Sequence, residues 1–202
     1  QTGLTYLSWD SNDVWVYDTY YRIYYSIALC NEFIRNASDD NLAKFSEAEQ
    51  TELRQMRSEA RFLRALAYSH VLDLFRDVPF VDENFPVGTS LPPKYTAEQI
   101  FDYITAELEE VAELLPPHPA YPRAGAAAAY GIYLNAEAYG CGDHYGDCVR
   151  VCKAVIGLGY DTLEPKFTRL FGADNHKCTG EILFAFAVDN VQSVSWGAST
   201  YI

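Results

Sequence analysis

Cations are scarce in this chain. Its 202 residues hold 15 Lys+Arg against 28 Asp+Glu, a formal net charge of -13. Binding a phosphate backbone needs a basic face, so a nucleic-acid partner is excluded. Long apolar runs are missing as well. No stretch reaches the roughly 18 consecutive apolar residues of a membrane-spanning helix. The opening QTGLTYLSWD has neither an initiator Met nor a charged signal-peptide n-region, and the chain reads as an excerpt of a mature or processed protein. Cysteine is sparse: the five thiols are too few for a disulfide scaffold at this length, and an odd number leaves at least one unpaired. Catalytic motifs are absent too. G-x-S-x-G, HExxH, GxxxxGK[ST] and GxGxxG do not occur, and His70, His118, His144 and His176 stand at no spacing that implies a nucleophile partner. Nothing supports catalysis, and the chain is expected not to be an enzyme.

What is present is apolar and aromatic. The 49% hydrophobic content suffices for a substantial core, and 16 Tyr with 3 Trp exceed what a core of this size needs, which leaves aromatic faces for a ligand. Tyr20, Ile23, Ile27, Cys30 and Ile34 recur at spacings of 3 and 4, the pattern of a helix from about Asn12 to Asn36. After the linker SDDNLAKF, Ser46 and Glu49 form a capping box for a second helix that stops before Pro79. Its predicted buried stripe is Leu53, Met56, Ala60, Leu63, Ala67 and Leu74. A third helix runs from Thr96, its N-cap, through Leu115, with Ile100, Ile104, Leu108, Val111 and Leu115 on one face. A fourth spans about Gly125 to Tyr139, where alanines let a neighbour approach closely. A fifth spans about Tyr145 to Ile156. FTRLF reads as one helical turn, and EILFAFAV (Glu181 to Val188) as a short strand or the end of a buried helix. The predicted fold class is therefore mainly all-α: an irregular tetratricopeptide-like array of helical hairpins, residues 1–202 as one domain, with a short strand near the C-terminal end. No clean 34-residue repeat appears.

Arg54, Arg57, Arg61 and Arg64 form a stripe of their own beside the apolar one. They read as scaffold, with stems covering apolar surface and guanidinium forks tying neighbouring hairpins together, or else as an anion-binding face. The carboxylates Glu107, Glu109, Glu110 and Glu113 read as a solvated helix face. In CGDHYGDCVRVC, the Cys141 to Cys148 spacing is too wide for a zinc knuckle, and Cys148 and Cys152 lie one helical turn apart. A soft-metal site, a Cys141–Cys148 disulfide and inert thiols stay open there. No cofactor is expected, calcium at Asp143 and Asp147 being the one alternative.

The order Ser58-Glu59-Ala60-Arg61-Phe62-Leu63-Arg64-Ala65, Tyr68, Asp73-Leu74-Phe75 and Asp77-Val78-Pro79-Phe80 resembles the signature helix of the SusD/RagB family of outer-membrane nutrient-binding lipoproteins. Leu114-Leu115-Pro116, Arg123, Ala126 to Ala129, Tyr133, Leu134-Asn135-Ala136, Gly159-Tyr160 and Glu181-Ile182-Leu183-Phe184 continue the resemblance in order. One departure is Arg76, where many relatives carry glycine. The resemblance implies the N-terminal helical part of a longer protein held on the outer face of the cell outer membrane by a lipid anchor that lies outside this sequence. It also implies capture of an oligosaccharide or polysaccharide, or another nutrient, for a SusC-like TonB-dependent transporter. The alternative is a helical-repeat docking adaptor that binds no ligand.

Sugar sites pair aromatic faces, which stack on ring C–H patches, with planar polar groups that take the hydroxyls. LSWDSNDVWVYDTYYR brings both kinds together, and Trp9, Asp10, Asn12, Asp13, Trp15 and Tyr17 are the candidate ligand-binding residues. Trp15 and Tyr17 have core packing as their competing role. Trp196, with Tyr201, is a second candidate platform, or else interior packing.

Overall fold

Helix starts in this chain are written locally. Asp13, in an extended conformation, accepts the Trp15 N–H at 2.9 Å and opens α1, Val14–Asn36. Ser46 and Glu49 close the expected capping box at the start of α3, Glu47–Phe75. Thr96 does the same with Gln99 for α4, Ala97–Leu114. Between α1 and α3 the linker folds a single turn, α2, Asp39–Leu42. Then follow α5, Ala126–Tyr139, and α6, Tyr145–Gly157. The segment FTRLF forms a short 3-10 turn, Phe167–Phe171. This computed structural model describes residues 5–86, 88, 91–120, 122–139, 145–160, 162–172, 174–178 and 180–186, with 134–139 and 176 in backbone only.

Successive helices pack on one another: α1 on α3, α3 on α4, α4 on α5 and α5 on α6, which makes the molecule the expected helical array. Fully buried Ile27, Phe62, Tyr68, Val71, Ile100, Ile104, Leu108 and Val111 form its core. Ala126 to Ala129 are buried, the small side chains bringing α5 close to α4. Gly125 is needed at the turn before them, because a Cβ there would lie 2.5 Å from Pro119 Cδ.

Three expectations are corrected. On α3 the buried set includes Phe62, Ala65, Leu66, Tyr68, Val71 and Leu72, whereas Leu63 is 37% and Leu74 56% exposed. A helix held between two neighbours buries a wide arc, and a single-stripe reading misplaces its centre. Second, Glu181 to Phe186 form no strand. Phe184 is spent on the helices, edge-on to Phe62 at 5.1 Å, rather than on pairing with another strand. Residues 187 and 188 of that run lie outside the described residues. Third, the described strands are elsewhere: β1, Val78–Pro79, and β2, Lys94–Tyr95, form an antiparallel clip at the base of the connection 80–93, which is punctuated by Pro and Gly. Arg76, the C-cap of α3, turns the chain into β1 with φ 63 and ψ -100.

Candidate functional site

The N-terminal candidates gather around the start of α1. Asp10 accepts the Asn12 N–H through Oδ1 at 2.8 Å, and its carbonyl accepts the Asp13 N–H at 3.1 Å. This turn and the Asp13 cap set Trp9 and Trp15 beside one recess of about 280 Å³, whose remaining walls are Val16 and Thr19 of α1 and Leu74 and Phe75 at the end of α3. Trp9 is 48% and Trp15 44% exposed, so both keep accessible ring surface and neither is core. Behind the recess Tyr20 meets Phe75 edge-on at 5.1 Å and stacks at a tilt on Tyr24 at 4.6 Å. The Tyr24 hydroxyl donates to the Pro79 carbonyl at 2.6 Å, and burial pushes its pKa far above the ordinary phenol value.

Not all the candidates converge. Tyr17 belongs to a different face of α1, where it forms an exposed ladder with Tyr21 and Tyr25. The ring centroids are 6.4 and 6.3 Å apart and the rings lie within 15° of parallel. Asp10 and Asp13 serve the backbone as turn and cap, while Asn12 is exposed. Trp196 and Tyr201 lie outside the described residues, as do Cys141, Asp143 and His144 of the cysteine-rich segment. Val16, Thr19, Leu74 and Phe75 line the recess without having been singled out as ligand-binding residues. Thr19 was readable one turn after Trp15, but Leu74 and Phe75 come from a helix 55 residues away and left no local sign. A larger cavity of about 430 Å³ between α1 and α3, walled by Ile23, Leu29, Leu66 and Ala67 together with Arg22, His70 and Phe186, offers no indole face.

The arginine stripe is structural. Arg57 donates to the Ala37 carbonyl at 2.9 Å and to Asp39 at 3.2 Å, which ties α3 to the end of α1. Arg61 grips Glu107 through Nε and Nη2 at 2.9 and 2.8 Å and Glu110 through Nη2 at 2.8 Å. Arg64, almost fully buried, donates to Asn31 at 2.8 Å, to Glu107 at 3.0 Å and to Glu83. Glu107 is thus no part of a solvated face. It is buried between α3 and α4 because two guanidinium groups compensate its charge. Burial alone would raise the Glu83 carboxyl, but the hydrogen bond and charge of Arg64 hold it below the usual carboxylate range. The hydrogen bond from Arg61 lowers Glu110 likewise. With their guanidinium groups so engaged, Arg57, Arg61 and Arg64 present no open anion site. Cys30, Cys148, Cys152 and Cys178 are free thiols. Among the described residues no three His, Cys, Asp or Glu side chains stand close enough to hold a metal ion.

Comparison with known proteins decides the family. Residues 3–134 match the SusD-like family described as "Starch-binding associating with outer membrane". The chain belongs to the SusD-like family. Its similarity to the starch-binding protein SusD of Bacteroides thetaiotaomicron is 34% identity over 208 residues, 98% of this chain and 36% of SusD. A SusD-like protein from Bacteroides fragilis superposes with a TM-score of 0.67 at 25% identity, over 83% of this chain and 32% of that one. Surface glycan-binding protein A from B. thetaiotaomicron, solved in complex with laminarihexaose, shares the fold with a TM-score of 0.68 at 22% identity, over 84% of this chain and 34% of that one. The SusD-like chain described here therefore spans about a third of the length of these relatives.

Proposed function

We propose that this chain is the helical part of a longer, non-catalytic glycan-binding protein of the outer-membrane surface. The observation that carries the reading is the recess flanked by two half-exposed tryptophans, Trp9 and Trp15, over Phe75, in a chain 34% identical to a starch-binding protein. Indole faces stack on the apolar face of a sugar ring, and the exposed Asn12 amide supplies donor and acceptor to its hydroxyls. Asp10 retains a second carboxylate oxygen for the same purpose. Trp196 is proposed as a further platform. The reading requires no cofactor. A lipid anchor outside this sequence holds the protein on the outer face of the membrane, and captured oligosaccharide passes to a TonB-dependent transporter of the SusC type, with which the protein is expected to co-purify.

Affinity electrophoresis of the intact protein in gels containing starch or laminarin tests the reading. Retardation is expected. Trp9→Ala and Trp15→Ala are each expected to weaken binding about tenfold, the loss of one ring-stacking contact and its buried area. An intact protein that migrates freely through every polysaccharide gel leaves the docking adaptor as the function, and full binding by both variants moves the site elsewhere.

A further inference from the structure

Two irregularities lie next in the chain to residues that line the tryptophan recess. Among the described residues two non-glycine residues have positive φ, Leu7 at 54° and Arg76 at 63°. Leu7 lies two residues before Trp9, and Arg76 follows directly on Leu74 and Phe75. A side chain at such φ strains the backbone, which glycine would relieve, so the chain is held in an unfavourable conformation two residues before Trp9 and again directly after Phe75.

The second irregularity is electrostatic. The described arginines otherwise have partners, those at 57, 61, 64 and 123 in defined ion pairs. Arg76 is exposed, and its guanidinium makes no hydrogen bond or ion pair among the described residues. Carboxylates are close along the chain, yet Asp77 accepts the Ala97 N–H at 2.9 Å and faces Lys94 at 3.9 Å. In a chain of net charge -13, a guanidinium with no partner among the described residues, directly after Leu74 and Phe75 of the recess, adds no ion pair to the scaffold there.

We infer that Arg76 is a ligand-contacting and specificity-determining residue of the recess, and the inference rests on the recess being the glycan site. The indole and phenyl faces take the C–H face of a sugar, and the guanidinium fork takes a pair of oxygens on its edge. Vicinal hydroxyls and the carboxylate of a uronic acid share that geometry.

Calorimetric titration of the intact protein with maltoheptaose, laminarihexaose and a galacturonic acid hexamer, alongside Arg76→Gly and Arg76→Gln, tests it. Arg76→Gly is expected to melt higher than the wild type, through relief of the turn, and yet to bind the preferred oligosaccharide about tenfold more weakly; Arg76→Gln is expected to match that loss. A loss confined to the acidic hexamer assigns the carboxylate as the recognised group, and a loss on a neutral oligosaccharide assigns hydroxyls. Affinity within twofold of wild type in both variants overturns the inference, as does binding that falls only together with melting temperature. If the wild type binds none of the three, the glycan reading fails first and takes this one with it.

Discussion

Glu107 shows how far one residue's role departs from its sequence neighbourhood. It sits in a run of glutamates, yet it accepts from Arg61 and Arg64 at 2.8 to 3.0 Å and joins α3 to α4. Replacing one partner of such a cluster leaves the others charged in a desolvated place. Glu107→Ala is therefore expected to destabilise the fold by about 3 kcal/mol, measured by denaturant unfolding, with Glu113→Ala as an exposed control near zero. An equal effect of the two substitutions would refute the assignment. Periodicity marks Glu107 as one carboxylate among several, because only the packing of a helix 46 residues away singles it out. The arginines' scaffold role was readable from their stripe, and their partners were not. The tryptophan pair was readable as a candidate for the opposite reason, since both rings lie within seven residues of each other and one short turn orients them.

At the scale of the element, caps, prolines and periodicity placed the helices well. The one capping box expected from sequence, at Ser46, is formed, and the five buried positions expected on the third helix, four on α4 and Leu115 at its C-cap, are all buried. Ser46→Ala removes a side-chain acceptor and the reciprocal partner of Glu49, and is expected to cost about 1 kcal/mol by thermal unfolding, with Ser46→Asp close to wild type. Loss of stability in the aspartate variant equal to that in alanine would show that the cap is not the cause. Illegible were the features that depend on two elements at once. The clip of β1 with β2 spans two residues on each side, too few for an alternation pattern, and residues 181 to 186 have strand composition but no strand partner among the described residues.

For the molecule as a whole, acid response follows from the carboxylates. Glu83 and Glu110 have folded pKa values below their ordinary ones, so the unfolded chain takes up protons first as the pH falls. Their contribution is complete above the ordinary carboxylate pKa and is lost on descending through the lower folded values. Neutralising a chain of net charge -13 also relieves diffuse repulsion, which acts in the opposite direction. Salt separates the two, since it screens the diffuse term far more than the half-buried pairs. In high salt the melting temperature is expected to fall steadily below about pH 5. A flat or rising profile there would mean that the arginine–carboxylate cluster stabilises nothing.

The small sheet has a consequence for how such a protein can change. Val78 pairs with Tyr95 and Pro79 with Lys94, and the Phe80 N–H donates to the Pro93 carbonyl at 2.9 Å, so the excursion between them leaves and returns through one sealed neck. Up to Glu83 and Asp82 the loop is tied to Arg64 and to its own backbone. Past that point the described residues 84–86, 88, 91 and 92 make no hydrogen bond or ion pair to a helix, and doubling the length of such a loop costs only about 0.6 kcal/mol in closure entropy. The neck thus makes this position a tolerant port for insertions, where new sequence is tried without renegotiating the core beneath it.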